Sequence, residues 1–415
     1  MPAGTGTDPL RRGRRTRPSG KGTPRVSPHH ALPDPASDRD IPDHLHEERE
    51  RAETLRHRLG LSRRSLFAAT TGLAAAAAIP LAQPAAAAES GRHRPLIPPG
   101  RRGIILYTVR DAITRDPATT TSPTGFRRVL EALSAIGYRQ VEFAGYRQHA
   151  AAEGGASLET VEGARLLRSW LDAYGLRAQG NHGFIPGSWP LTTADLDRFK
   201  QSLEIAGILG LGHMGTGADP TGSAYKADWD VAAEKWNALG AIARDAGIKL
   251  YTHNHDAAYA FLLDSGPLDE QGRPTRSSGI RKLEYFFRIS DPRLVHFEMD
   301  IYWAHVAQYK HRAYTAPDGS TCTDVFDPLR TVRAQEKRFP LFHAKDGASN
   351  PAVPNGYDMV PFGTGDIDYR RFFSRLRSPG YHNPMYEQDN ASGADPAQSL
   401  QLAEVSYRNM AALRG

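Results

Sequence analysis

The 415-residue chain has a single cysteine, Cys322, so no disulfide can form within it. It also lacks an apolar run of the ~20 residues that a membrane-spanning helix needs. A strong one-sided charge is missing as well once the N-terminal part is set apart. Residues 1–88 carry 14 of the 52 Lys and Arg but only 9 of the 46 Asp and Glu, which leaves 38 basic and 37 acidic residues beyond them. Most of the formal charge of +6 therefore belongs to the first 88 residues, and the remainder has no basic footprint for nucleic acid.

The N-terminal part has its own character. Residues 1–61 are rich in Arg, Pro, Ser and Gly and show almost no apolar periodicity, a composition that cannot offset the entropy of ordering. Next come Ser62-Arg63-Arg64-Ser65-Leu66-Phe67, an alanine-rich apolar run to Ile79 and Ala86-Ala87-Ala88, which together read as a twin-arginine export signal over 62–88. Cleavage after Ala88 would leave 327 residues: a linker over 89–102 and a folded domain over 103–415. This reading predicts a secreted protein with the twin-arginine export machinery as partner and no stable membrane anchor.

From residue 103 onward an amphipathic helix, a glycine and a short apolar strand recur in that order. Gly137, Gly175, Gly210 and Gly247 mark the junctions at spacings of 38, 35 and 37 residues, one βα unit per interval. Phe126, Val129, Leu130, Leu133 and Ile136 share one helical face after a start at Ser122-Pro123. Ala164, Leu167, Leu171 and Tyr174 do so in the next unit, as do Leu196, Phe199, Leu203 and Ala206 in the third. Eight strands are expected, at 104–107, 140–143, 177–180, 213–215, 249–253, 295–300, 341–345 and 385–387. Eight alternating βα units imply a parallel sheet closed into a (β/α)8 TIM barrel, with a doubly wound open sheet as the alternative.

In such a barrel the chemistry lies where the carboxyl ends of the strands converge. Those ends are polar here: Glu142; Asn181-His182; His253-Asn254-His255-Asp256; Glu298-Met299-Asp300; His343-Ala344-Lys345-Asp346; and Glu387-Gln388-Asp389. Alternation along a strand puts His253 with His255, His343 with Lys345, and Glu387 with Asp389. His253, Asp300, His343 and Glu387, spaced 47, 43 and 44 residues apart, form a mixed imidazole and carboxylate set suited to Mn2+, Zn2+, Co2+ or Fe2+. Taken singly, His182 or His213 reads as an ordinary hydrogen-bonded histidine.

Several segments together carry a resemblance. Ile105–Asp111, Tyr138–Glu142, His253–Asp256, Met299–Trp303, His343–Asp346, Phe362–Tyr369 and Tyr386-Glu387 are similar, in order, to the signature segments of the xylose-isomerase-like sugar phosphate isomerase/epimerase family. The resemblance spans essentially 103–413 and implies the metal quartet His253, Asp300, His343 and Glu387. Two departures stand out: His253 occupies a place where many members have glutamate, and Ala258 stands where relatives with a His-Asn-His run have one.

The expected chemistry follows from a metal that chelates a hydroxyl and the adjacent carbonyl, acidifies the neighbouring C–H and stabilises an enediolate. His255 is the first choice of base, followed by Glu142 and His182. Lys345 would steady the developing oxyanion. Tyr107, Trp303 and Asn254 would contact a small-molecule carbohydrate substrate. Reprotonation of the enediolate makes a sugar isomerase or epimerase. Expulsion of a β-substituent instead makes a lyase or dehydratase, and a barrel without turnover would be a secreted sugar-binding protein.

Overall fold

A computed structural model describes residues 94–378 and 380–415, so the expected leader over 1–61 and export signal over 62–88 lie outside the described residues. Eight short strands form the centre: β1 (Gly103–Ile105), β2 (Gln140–Phe143), β3 (Arg177–Asn181), β4 (His213–Thr216), β5 (Lys249–Asn254), β6 (Val295–Asp300), β7 (Leu341–Ala344) and β8 (Asn383–Tyr386). Each is parallel to the next in chain order, and β1 also pairs with β8. At the seam between β3 and β4 a single bridge joins His182 to Gly215, with the Gly183 N–H donating to the Gly215 carbonyl at 2.8 Å. The expected TIM barrel is therefore the fold, nearly closed.

The helical stripes pack as their periodicity requires. Helix α1 (Gly125–Ile136) buries Phe126, Val129, Leu130 and Leu133, and α2 (Val161–Ala173) buries Ala164, Leu167 and Leu171. The Thr160 hydroxyl caps α2 by accepting from the Gly163 N–H, and the Thr192 hydroxyl caps α3 (Thr193–Leu209) by accepting from the Asp195 N–H. Gly210 follows α3 at φ 71°, the left-handed conformation that lets the chain leave the helix for β4. Inside the barrel, Ile105, Tyr251, Leu341 and Met385 form a separate apolar plug. No helix among the described residues is long and apolar enough to cross a membrane.

Local expectations fail where distant groups intervene. Strand one ends at Ile105 rather than Tyr107, because Leu106–Val109 turn into a 3-10 helix. Strand eight runs over 383–386 instead of 385–387. Helix α1 starts at Gly125, two residues after Pro123, and its Phe126 N–H is satisfied by the Gln148 side chain at 2.9 Å. That acceptor lies 22 residues away, beyond the reach of a local capping rule.

Three antiparallel hairpins rise from the loops after β5, β6 and β7: Ser265–Leu268 with Pro274–Arg276, Ala313–Thr315 with Thr321–Thr323, and Asp346–Ser349 with Tyr357–Val360. The long polar segment 308–326 thus contains a hairpin. Buried Arg281 ties the first two excursions together, donating to the carbonyls of Tyr259 at 2.7 Å, His311 at 3.0 Å and Asp324 at 2.7 Å.

Gly215 marks the tightest point of the wall, where a Cβ would stand 2.1 Å from the Tyr251 carbonyl oxygen and 2.7 Å from its ring. Backbone on a paired strand cannot yield as a flexible side chain can. Gly215→Ala is expected to destabilise the chain by about 2–3 kcal/mol, the upper part of the overpacking range. Urea unfolding measures it, and an unchanged midpoint would show that the seam tolerates a methyl group.

Candidate active site

The carboxyl ends of the strands bring a dense ionisable cluster together. Asp300, the last residue of β6, is also the N-cap of α6 (Ile301–Lys310): its Oδ1 accepts from the Trp303 N–H at 3.0 Å. One oxygen is thus spent on the helix while Oδ2 faces the cluster, 3.9 Å from His253 Nε2 and 3.8 Å from His343 Nδ1. Glu387, just past β8, places Oε2 2.6 Å from His343 Nδ1. Three of the four residues proposed from spacing, His253, Asp300 and His343, form one of two groups among the described residues with donors close enough to hold a cation, and Glu387 adjoins that group through His343.

Lys345 stands in the same place, with Nζ 2.9 Å from Asp300, 3.0 Å from Glu387 and 3.0 Å from Asp389. It is held there by its neighbours. The Tyr369 hydroxyl donates to the Lys345 carbonyl, and the Asp346 carboxylate accepts from the N–H groups of Gly347, Gly363 and Gly365. The Phe362–Tyr369 segment thus acts as a cradle for the β7 end.

Below this layer lies Glu298, two residues before Asp300 on the same face and fully buried. Its Oε2 is 3.2 Å from His343 Nε2, 3.3 Å from His182 Nε2 and 3.8 Å from His253 Nδ1. Glu142 joins it from β2, 3.2 Å from His343 Nε2 and 3.7 Å from His182 Nε2, and it accepts a hydrogen bond from the Tyr251 hydroxyl. Sequence reasoning assigned no role to Glu298 or Tyr251. Alternation counted back from Asp300 would have found the first, whereas the second is an interior residue recognisable only by its contact.

Burial and neighbours set the charges. Burial, followed by repulsion from Glu298, pushes the Glu142 carboxyl up to about 7. Burial lowers His182 to about 4 and takes His253 well below the ordinary imidazole value. Burial opposes a charge on His343 too, but attraction to Glu298 and Glu387 outweighs it and raises that imidazole well above its ordinary value. For Glu387 burial is likewise overcome, by His343 and Lys345, and its carboxyl is held below the usual range. Desolvation weighs most on Asp300 as well, yet Lys345 and His343 still hold it down.

These residues fit a divalent cation. Asp300 Oδ2, His343 Nδ1 and Glu387 Oε2 are buried without a well-aligned hydrogen bond, even where an ion-pair distance is short. Buried polar atoms left in that state cost stability unless something else meets them. Nitrogen and carboxylate donors in this mixture suit Mn2+, Zn2+, Co2+ or Fe2+.

The model of the family described as xylose isomerase-like TIM barrel matches residues 130–405 of the sequence. The chain belongs to this family. Two crystal structures of sugar phosphate isomerase/epimerases from Parabacteroides distasonis are similar to it, the first of them in fold. One is 21% identical over 74% of this chain and 92% of its own, with a TM-score of 0.52; the other is 16% identical over 74% and 96%, with a TM-score of 0.49. No curated protein matches the sequence. The family includes sugar isomerases and epimerases, and this barrel member presents its acids and imidazoles at the strand ends.

The remaining predicted residues occupy the rim or leave it. His255 is exposed, with its ring 4.8 Å from Trp303 and 5.1 Å from His253 between centroids. Trp303 is half-buried, with Lys345 Nζ 5.9 Å from its ring centroid. Tyr107 is 40% exposed and its ring lies under the Arg110 guanidinium, whose Nη2 donates to the Asp389 carbonyl. Asn254 is fully buried instead and donates to the Tyr259 hydroxyl at 2.8 Å, away from the solvent-facing rim.

A ligand that binds only the folded state stabilises it by about 2.7 kcal/mol at 100 times its Kd. Chelator-treated protein should therefore melt at a lower temperature than protein supplied with Mn2+, Zn2+, Co2+ or Fe2+, and Asp300→Asn should lose most of that gain. A melting temperature indifferent to all four ions would count against a cation at this site.

Proposed function

We propose that the chain is a secreted, divalent-cation-dependent isomerase or epimerase of a sugar, keto-sugar or cyclitol, working by removal of a proton next to a carbonyl. The observation that carries this reading is the cluster itself. Asp300, Glu387 and Asp389 crowd around Lys345 beside the imidazoles of His253 and His343, with the Trp303 ring facing Lys345. A cation held by His253, Asp300, His343 and Glu387 would polarise adjacent hydroxyl and carbonyl oxygens as a Lewis acid.

The chain's own groups supply the rest. His255 stands exposed at the rim, where its imidazole can accept the C–H proton. Lys345, its ammonium favoured by three carboxylates in spite of burial, offers a positive charge to an oxygen of the substrate enediolate. Trp303 and Tyr107 supply flat apolar faces on which a sugar ring can rest. Small-molecule carbohydrate is the partner these features suit.

One observation favours a second reading, lyase or dehydratase on the same site. His255 is the exposed imidazole of the cluster, whereas Glu142 and His182 are engaged with each other and with Glu298. Return of a proton to the opposite face needs a second group; expulsion of a β-hydroxyl or glycosyl group does not, because protonated His255 can hand the abstracted proton to the departing oxygen, which leaves as water or alcohol.

Turnover of keto-sugars and glycosides in D2O, followed by proton NMR, separates the two. Deuterium at the carbon next to the carbonyl, in substrate and isomer alike, is expected for isomerisation; loss of water or aglycone without such exchange would replace it by the lyase. His255→Ala is expected to lower kcat/KM by about 10²–10⁴-fold, and unchanged kinetics would dismiss this base. Export rests on Ser62–Phe67. Replacing Arg63 and Arg64 with Lys should hold the protein in the cytoplasm unprocessed, and continued secretion would refute the twin-arginine route.

A further inference from the structure

We infer that the barrel holds a second divalent cation, one layer beneath the first, between Glu142, His182, Glu298 and Nε2 of His343. These are the second group of donors in mutual reach among the described residues. Their separations are the decisive quantity. His343 Nε2 stands 3.2 Å from Glu142 Oε2 and 3.2 Å from Glu298 Oε2, while His182 Nε2 stands 3.3 Å from Glu298 Oε2 and 3.7 Å from Glu142 Oε1. Ligands 2.0–2.1 Å from a tetrahedral ion lie about 3.3–3.4 Å from one another. Three of these edges, at 3.2, 3.2 and 3.3 Å, lie close to that value, the fourth being to the other oxygen of Glu142, whereas the upper group spans 3.8–3.9 Å between its imidazoles and Asp300.

Two further features mark this seat. Glu298 is fully buried and its Oε1 has no hydrogen-bond partner, an uncompensated acceptor inside the barrel. Two glycines make room for the ligands: a Cβ at Gly180 would lie 2.9 Å from Glu142 Oε1, and one at Gly217 would lie 2.7 Å from His182 Nδ1. Neither residue has the positive φ that would itself call for glycine, so space is what they provide. The Tyr251 hydroxyl donates to Glu142 from below, as an outer partner that orients a ligating carboxylate.

His343 links the two seats, with Nε2 facing the lower donors and Nδ1 the upper ones. With both filled, the ring would offer Nε2 to the lower ion and Nδ1 to the upper one. The lower ion takes Glu142 and His182 as ligands and leaves His255 as the free base at the rim. The seat itself does not depend on the proposed reaction, since only His343 is common to both groups.

The test is metal content of the whole chain, stripped with a chelator and reloaded with Co2+, read as ions per chain together with the visible absorption of tetrahedral Co2+. Unaltered protein is expected to hold two ions, Glu298→Gln one with loss of the tetrahedral band, and Asp300→Asn one with the band retained. His182→Gln, at a partly exposed position, gives the same reading should Glu298→Gln not fold, and thermal melting reports folding for each. If Glu298→Gln and His182→Gln keep the full ion content and spectrum, the lower seat is overturned, while loss of an ion in Asp300→Asn alone would leave the upper seat standing. Loss in Glu298→Gln without loss in Asp300→Asn would support the lower seat and remove the upper one.

Discussion

Glu142, Glu298, Asp300, Glu387 and Asp389 converge at the open end of a barrel that has Lys345 as the one ammonium among them. Two like charges 4 Å apart repel by about 4 kcal/mol even at an effective dielectric constant of 20. A chain that simply collapsed around such a set would expel it into water. The barrel prevents this because Glu142, Glu298 and Asp300 are fastened to strands whose backbones are paired on both sides, and Glu387 and Asp389 follow directly on β8. What remains is a demand for positive charge, met in part by Lys345, and the donor geometry suits divalent ions for the rest.

The surrounding structure meets that demand by fixing directions. Asp300 spends one oxygen on the first turn of α6 and so presents the other inward. Asp346 gathers three backbone N–H groups of a glycine-containing loop and thereby anchors the end of β7, where His343 and Lys345 stand. Arg281 binds two hairpin-bearing excursions into one wall from a buried position. None of these residues needs to touch a substrate to matter, since a ligand displaced by a fraction of an ångström no longer shares a point with its partners.

Residue pattern made the architecture legible from glycine spacing and helical stripes, since both are local consequences of backbone freedom and burial. The site was legible in part, for a related reason: period-two alternation assigns strand-end residues to a face, and His253, Asp300 and His343 do meet. Glu298 escaped notice because attention to the last residue of each strand hides the layer below it. Asn254 lies on the other face of β5 from His253, held by Tyr259, which the same alternation applied strictly would have shown. The early end of β1 and the capping of α1 by Gln148 were out of reach, since both depend on parts of the chain that become neighbours only after folding.

By itself, then, the sequence determined the repeat of βα units, the helical faces that pack inward and the polar character of the strand ends, because each depends on residues a few positions apart. Tertiary structure alone decided which polar ends share a centre and at what distance. His343 acquires two sets of partners from five strands or strand ends, and only closure of the sheet brings β2 and β3 to the same axis as β6, β7 and β8. Donor separations near 3.3 Å arise across the barrel, between residues more than a hundred positions apart, and no local rule contains them.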